Sequence, residues 1–123
     1  MDAARAELSG RQAAEETQQL LRGDWVIAVV TALGAGPRRF TELHNEINAV
    51  EHHVGRRLHD SPVSNRVLSR TLARMVEDNL VLRHEETHTP HPFVWYELTA
   101  AGYDLIPVLH TMAQWAQRHA TQA

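Results

Sequence analysis

The fold is decided by the stretch Val63–Leu98, which reads VSNRVLSRTLARMVEDNLVLRHEETHTPHPFVWYEL. Its first half repeats apolar residues at three- and four-residue spacing, a pattern typical of a helix with one buried stripe. The stripe consists of Val63, Val67, Leu68, Leu72, Met75 and Val76. Ser64 is expected to cap the start of this helix, and Asn79 to end it in the left-handed conformation. Two short strands, Leu80–His84 and Phe93–Leu98, are predicted to follow as a β-hairpin around a Pro/His-rich turn.

The face of this helix opposite the stripe is polar and basic. It carries Asn65, Arg66, Ser69, Arg70, Ala73 and Arg74. Its three arginines are four residues apart and form one line along the exposed side. A helix of this kind suits a DNA major groove, and a hairpin directly after it is the order of a winged helix-turn-helix. We therefore predict a mainly α fold with a small β-hairpin, with a recognition helix at 63–79 and a wing at 80–98.

The composition is that of a globular chain of one domain. The 123 residues are 43% hydrophobic, and no apolar run approaches the length that spans a membrane. We predict a disordered N-terminus at 1–10 and a single domain at 11–123. The N-terminus lacks the pattern of a signal peptide, so we expect a cytoplasmic protein with no membrane partner. The absence of cysteine excludes disulfides and thiolate metal sites.

Charge is unevenly distributed along the chain, whose formal net charge is −3. Residues 38–74 contain seven arginines against four acidic residues, a net charge of +3. The flanking segments 1–25 and 75–123 carry net charges of −2 and −4. The basic block coincides with the half of the chain that we predict to contact DNA, although an uneven surface without function is the alternative.

Three helices are predicted before the recognition helix. Ser9-x-x-Gln12 matches a capping box, which predicts a first helix from there to Gly23. Asp24 is expected to cap a second helix, Trp25–Leu33, whose apolar sequence places it in the middle of the core. Thr41 is expected to cap a short third helix through Ile47.

Two further segments complete the predicted domain. Residues 49–62 form a polar insert that is too long for the tight turn of a minimal helix-turn-helix. Thr99 is expected to cap a C-terminal helix at 99–119, whose apolar face is broader than a small domain covers alone.

Four pieces of the chain, taken in order, resemble the HxlR-type winged-helix transcription regulators, relatives of the MarR group. These pieces are LLRGDWVIAVVTAL at 20–33, RRFTEL at 38–43, VSNRVLSRTLARMVEDNLVLR at 63–83 and PHPFVWYELTAAGYDLIPVLHTMAQW at 90–115. The resemblance covers about residues 19–119, apart from the insert. It implies a homodimer in which the N- and C-terminal helices serve dimerisation by packing across a two-fold axis. It also implies binding to a pseudo-palindromic operator, with half-sites roughly 34–36 Å apart, and repression or activation of neighbouring genes.

This chain departs from the family in three respects. Many relatives sense oxidants through an N-terminal cysteine, which is missing here. The wing of relatives usually carries a basic residue, whereas this wing holds Glu85, Glu86 and three histidines. The insert is also atypical. The first difference excludes thiol sensing, and the second leaves contact between the wing and phosphate open.

We assign the candidate sites as follows. The candidate contacts to double-stranded DNA are Ser64, Asn65, Arg66, Ser69, Arg70, Arg74, Arg39, Thr41 and His88. Arg74 is expected to contact phosphate or to pair with Asp78, and Arg38 joins Arg39 before a helix N-terminus that favours phosphate. The candidate dimer contacts are Leu20, Leu105, Leu109, Met112 and Trp115. Trp95 and Trp115 are candidate contacts for a small-molecule effector, with core or interface packing as the alternative.

The nine histidines allow a metal hypothesis, but neither His84-x3-His88-x2-His91 nor His52-His53…His59 has a spacing that fixes a geometry. A wing that gains positive charge as His88 and His91 protonate near pH 6 is a second hypothesis. No enzyme motif, metal site or cofactor site is predicted. The alternative function is a winged-helix scaffold that binds a small molecule or a protein and has little or no affinity for DNA.

Overall fold

A computed structural model of the chain describes residues 2–53, 59 and 61–120. The elements follow in the order α1 (Asp2–Leu21), α2 (Val26–Leu33), β1 (Arg38–Arg39), α3 (Phe40–His53), α4 (Asn65–Glu77), β2 (Val81–Glu86), β3 (Phe93–Leu98) and α5 (Ala100–Ala120). The fold is mostly helical with one small antiparallel sheet, as predicted. Among the described residues, no helix is both long and apolar enough to cross a membrane.

The sheet has three strands in the order β1-β3-β2, one strand more than the predicted hairpin. β2 and β3 pair from Val81↔Leu98 to Glu86↔Phe93, and β1 adds the pairs Arg38↔Tyr96 and Arg39↔Trp95. A strand of two residues is too short to show an alternating pattern in sequence, which is why β1 was not predicted.

Helix α2 lies at the centre of the core, as its sequence predicted. Val29, Val30 and Leu33 are fully buried, and the helix packs against α3, α5 and α4. Ile27 is 43% exposed, so one side of α2 faces outward despite its apolar sequence. The remaining buried apolar residues are Trp25, Val26, Leu43, Ile47, Val63, Leu68, Leu72, Met75, Leu80, Val81, Tyr96, Leu98 and Leu105.

Helix α4 buries a narrower stripe than the sequence predicted. Leu68, Leu72 and Met75 are buried at i, i+4 and i+7, whereas Val67 and Val76 are 38% and 37% exposed. Including these two valines in the stripe was therefore wrong, because only one row of side chains on this helix contacts α2 and the sheet.

Both ends of α4 are capped as predicted. The Ser64 hydroxyl accepts a hydrogen bond from the Val67 amide at 3.1 Å. At the other end Asn79 has φ of 59°, while its amide and that of Leu80 donate to the carbonyls of Val76 and Met75. These two bonds form a Schellman motif, which fixes the turn from α4 into the hairpin.

Three predicted helix starts are wrong. α1 begins at Asp2, so Ser9 lies inside the helix and residues 2–10 are helical rather than disordered. The N-cap of α2 is Trp25, with no side-chain cap from it, and not Asp24. α3 begins at Phe40, one residue before Thr41.

The start of α3 shows what replaces the expected hydroxyl cap. The carboxylate of Glu42 accepts a hydrogen bond from the Arg39 amide at 2.9 Å. This is the half of a capping box in which an acidic side chain reaches back to the residue before the helix. α3 also continues to His53, well beyond the predicted end at Ile47, so the insert begins as helix.

The start of α5 is confirmed at Thr99, whose hydroxyl accepts from the Gly102 amide at 3.0 Å and donates to the Asn79 carbonyl at 2.7 Å. A Cβ at Gly102 would clash with the backbone carbonyl of Leu80. The two contacts hold α5 against the base of the hairpin, and a glycine is required there because the backbones approach so closely.

Candidate nucleic-acid interface

The outer face of α4 contains five of the predicted contacts in exposed positions, Ser64, Asn65, Arg66, Ser69 and Arg70. Within the described ranges, no acidic side chain forms an ion pair with Arg66 or Arg70. Both guanidinium groups are therefore available to an external anion or a base edge. Arginine is the side chain that most often reads guanine in a major groove.

Arg74, at the other end of the same row, is less available. Its Nη2 donates to the Gln19 carbonyl of α1 at 3.0 Å, and its Nε lies 3.7 Å from the Asp78 carboxylate. The predicted pairing with Asp78 is present, and the bond to α1 is additional. Arg74 thus connects the C-terminal half of α4 to the end of α1, while its role towards phosphate stays a prediction.

The segment before α3 contributes two arginines with different surroundings. Arg38 donates through Nε to the Ala32 carbonyl of α2 at 3.1 Å and is half-buried. Arg39 is exposed, and its guanidinium carbon lies 3.7 Å from the centre of the Phe93 ring. This cation–π contact places Arg39 beside the wing, where phosphate contact is expected. Thr41 is exposed in the first turn of α3.

Both faces of the sheet carry paired polar side chains, and the outer face also carries stacked rings. His84 stacks on Trp95 with the ring centres 4.0 Å apart, and its Nε2 lies 3.0 Å from the Glu97 carboxylate. On the other face, Arg83 lies 2.7 Å from the Glu85 carboxylate. The hydrogen bond to Glu85, with a second to Tyr96, raises the pKa of Arg83 above its ordinary value. Arg83 is thus permanently charged, but its charge is already paired.

The tip of the wing lies between β2 and β3. His88, Pro90, His91 and Pro92 are exposed there. The turn is held by local bonds, since the His88 amide donates to Glu86 at 3.0 Å and the Thr89 hydroxyl donates to the His91 carbonyl at 2.9 Å. No three His, Cys, Asp or Glu side chains in the described part of the chain are grouped so that they could hold a metal ion. The side chains of His52 and His53 lie outside the described residues.

The insert is described only in part, since 54–58 and 60 lie outside the described residues. His59 stacks on Trp25 with the ring centres 3.8 Å apart, and its Nε2 contacts the Asp24 carbonyl. One end of the insert therefore packs on the start of α2 and covers a buried tryptophan.

The predicted dimer contacts differ in exposure. Leu105 is 8% exposed and packs in the core of its own subunit, and Leu109 is half-buried against that core. Met112 and Trp115 are 46% and 60% exposed. Leu20 is half-buried near the end of α1. The structure therefore leaves Met112 and Trp115 with the most surface for a partner and Leu105 with very little.

The two tryptophans proposed as effector contacts do not lie on a common face. Trp95 is on the outer face of the sheet, and Trp115 stacks on His119 of its own helix at 4.7 Å. An apolar groove of about 430 Å³ lies instead between α2 and α3. Ile27, Val50 and Ile47 contribute apolar surface to it, and Arg38 and Glu46 contribute charge. No sequence pattern indicates this groove, because its walls come from two helices that only the fold brings together.

Comparison with known proteins agrees with this architecture. A transcriptional regulator of the MarR family from Enterococcus faecalis superimposes with a TM-score of 0.72 at 26% identity, covering 91% of this chain and 89% of the other. The reduced form of the regulator YodB from Bacillus subtilis gives 0.71 at 26% identity, covering 89% and 93%. The fold is therefore the winged helix of MarR-type regulators.

Proteins similar to this chain in sequence are also described as transcriptional regulators. The chain is 29% identical over 108 residues to the HTH-type transcriptional regulator YkvN of Bacillus subtilis, covering 88% of this chain and 80% of the relative. It is 28% identical over 97 residues to an HTH-type regulator of Methanothermobacter thermautotrophicus, covering 79% of this chain but only 63% of the relative's length. The family model for the HxlR-like helix-turn-helix matches residues 20–123. The chain therefore belongs to the HxlR-like helix-turn-helix family of transcriptional regulators.

Proposed function

We propose that the protein binds double-stranded DNA sequence-specifically, with α4 in the major groove, and represses neighbouring genes. One observation carries this proposal: Arg66 and Arg70 lie on the exposed side of a helix capped at both ends, without intramolecular ion pairs among the described residues. Base contacts from such a helix specify sequence, and phosphate contacts from flanking residues fix its orientation. Because the proposed binding partner is chromosomal DNA, we place the protein in the cytoplasm.

The proposal includes a homodimer. Its support is the second half of α5, where residues 110–120 are all exposed and include Met112 and Trp115. Residues 9–16 of α1 are also exposed. A soluble monomer rarely leaves large apolar side chains on one long helix uncovered. A second copy related by two-fold symmetry could cover them, and on a pseudo-palindromic operator the two α4 helices of such a dimer would lie about one turn of DNA apart, roughly 34–36 Å.

The direct test is a gel-shift titration with the DNA upstream of the protein's own gene, repeated at several salt concentrations. We expect a discrete shifted band whose apparent affinity falls steeply and linearly on a logarithmic salt scale, since phosphate contacts release counterions. The result against the proposal is the absence of any discrete band at low salt. A reporter fused to the same upstream DNA tests repression. If the protein is a repressor, expression of the reporter should be higher when the gene of the protein is deleted.

A second function, binding a small molecule or protein partner with little DNA affinity, is favoured by the groove between α2 and α3 and by the acidic wing. A thermal-shift screen against small metabolites separates the two. A ligand that raises the melting temperature of a protein that shifts no DNA would favour this alternative.

A further inference from the structure

The connection between α3 and α4 is the least typical part of this helix-turn-helix. The two helices of a minimal motif are joined by a turn of three or four residues, whereas here residues 54–64 separate His53 from Asn65. A connection of this length does not impose the fixed geometry of a short turn. His59 anchors it to Trp25 and Asp24, and a further contact holds the start of α4 itself.

That contact is made on Val63, the residue directly before the N-cap of α4. The Val63 amide donates to Asn48 Oδ1 at 2.9 Å, and the Val63 carbonyl accepts from Asn48 Nδ2 at 3.2 Å. One side-chain amide thus satisfies both backbone groups of one residue, as a neighbouring strand would. The valine side chain is 3% exposed, so this backbone is anchored beside the core.

A second side chain of α3 adds to the same contact. His44 Nε2 lies 2.8 Å from the Val63 carbonyl. This contact is a hydrogen bond in the tautomer that carries the proton on Nε2, since a carbonyl oxygen can only accept; the same Nε2 lies 3.4 Å from Asn48 Nδ2. His44 and Asn48 are four residues apart and share one face of α3, so both of them point at the start of α4.

We propose that Asn48, assisted by His44, is the positioning residue of the recognition helix and replaces the short turn that a minimal helix-turn-helix uses. The proposal rests on α4 being the DNA-reading helix. It assigns the geometry of the motif to two side chains of α3 rather than to the insert. Asn48 itself contacts backbone and is not a DNA contact.

The first test measures the contact between Asn48 and Val63 in the absence of DNA. Amide hydrogen exchange is followed by NMR at Val63 and, as an internal reference, at Leu68, whose amide donates to the Ser64 carbonyl within the helix. In Asn48→Ala we expect exchange at Val63 to accelerate about fivefold or more, with Leu68 changing less than twofold. Asn45→Ala removes the same amide from an exposed position of α3 and is expected to change neither.

The second test measures function with the same proteins. Asn48→Ala should weaken binding to the operator about tenfold while affinity for unrelated DNA stays within twofold, because a displaced helix loses base contacts but not the basic surface. If Asn48→Ala does not fold, Asn48→Asp serves instead. Its carboxylate still accepts from the Val63 amide but cannot donate to the carbonyl, so exchange at Val63 stays slow and operator affinity falls severalfold. His44→Phe is expected to have the same effect as Asn48→Asp: exchange at Val63 stays slow, and operator affinity falls severalfold.

The proposal is overturned if exchange at Val63 in Asn48→Ala equals that of wild type, or if the operator affinity of a folded Asn48→Ala is unchanged. These outcomes are distinct from a failure of the DNA-binding function. A wild-type protein that binds no DNA removes the second test, but the exchange measurement still decides whether Asn48 fixes the start of α4.

Discussion

The recognition helix and the wing differ in what their charges do. Arg66 and Arg70 on α4 have no ion pair among the described residues, whereas the charged residues of the wing are already engaged. In the wing, Arg83 pairs with Glu85, and the Glu97 carboxylate is hydrogen-bonded to His84. A charge that is compensated within the protein contributes little to an external phosphate contact. The comparison favours α4 over the wing as the source of the charge that our proposal places against DNA.

The two regions also differ in how they are held. α4 is fixed at its start by Ser64 and Asn48 and at its end by the left-handed Asn79. The hairpin is fixed at its base, where Gly102 and Thr99 bring α5 against Leu80 and Asn79. Because these anchors are separate, α4 and the hairpin can be disturbed by different substitutions.

The largest effect is expected from Gly102→Ala. The added methyl group would collide with the Leu80 carbonyl, and a backbone atom cannot move aside as a flexible side chain does. We expect the free energy of unfolding to fall by about 3 kcal/mol, measured by urea denaturation. Gly10→Ala is the matched control, since nothing lies within 4 Å of its Cβ position, and it should stabilise α1 by about 0.5–1 kcal/mol. Equal stability of Gly102→Ala and wild type would refute the close approach.

Arg70→Ala tests the role of α4. An arginine that reads a base is worth about 1–3 kcal/mol, so operator affinity should fall about 5- to 100-fold, with relaxed preference at one operator position. Fluorescence anisotropy with labelled operator and single-base variants measures both. Arg118→Ala removes the same charge from the last turn of α5 and should leave the preference unchanged. An Arg70→Ala protein that binds as tightly as wild type would show that another face of α4 meets DNA.

Arg39→Ala tests whether an arginine outside the hairpin supplies positive charge to DNA beside the wing. Because Arg39 lies on Phe93 beside the wing, we expect a loss of affinity of about threefold to tenfold for operator and unrelated DNA alike. The slope of log affinity against log salt should become shallower by about 1. A loss confined to the operator would instead make Arg39 a base contact.

Much of the fold was readable from the sequence because several signals agreed. Ser64, Asn79 and Thr99 were each predicted as helix boundaries, and each makes the expected capping contact. The errors arose where tertiary contacts decide. A two-residue strand such as β1 exists only because β3 lies beside it, and the exposure of Val67 depends on which elements reach that side of α4.

The candidate site was less predictable than the fold. Which arginines are free is a matter of spatial neighbours: Arg74 is connected to Gln19, which lies 55 residues earlier in the chain, and Arg39 lies on Phe93. The contact of Asn48 with Val63 likewise spans the insert and follows no local pattern. Only the exposed face at the start of α4 could be assigned from spacing alone.

The most direct test of the central claim is selection of bound sequences from random duplex DNA, with wild type and the double variant Arg66→Ala, Arg70→Ala in parallel. We predict that wild type enriches a pseudo-palindromic sequence with half-site centres about 10 base pairs apart and that the folded double variant enriches none. Equal enrichment of one sequence by both proteins, or of none by the wild type, would contradict the account.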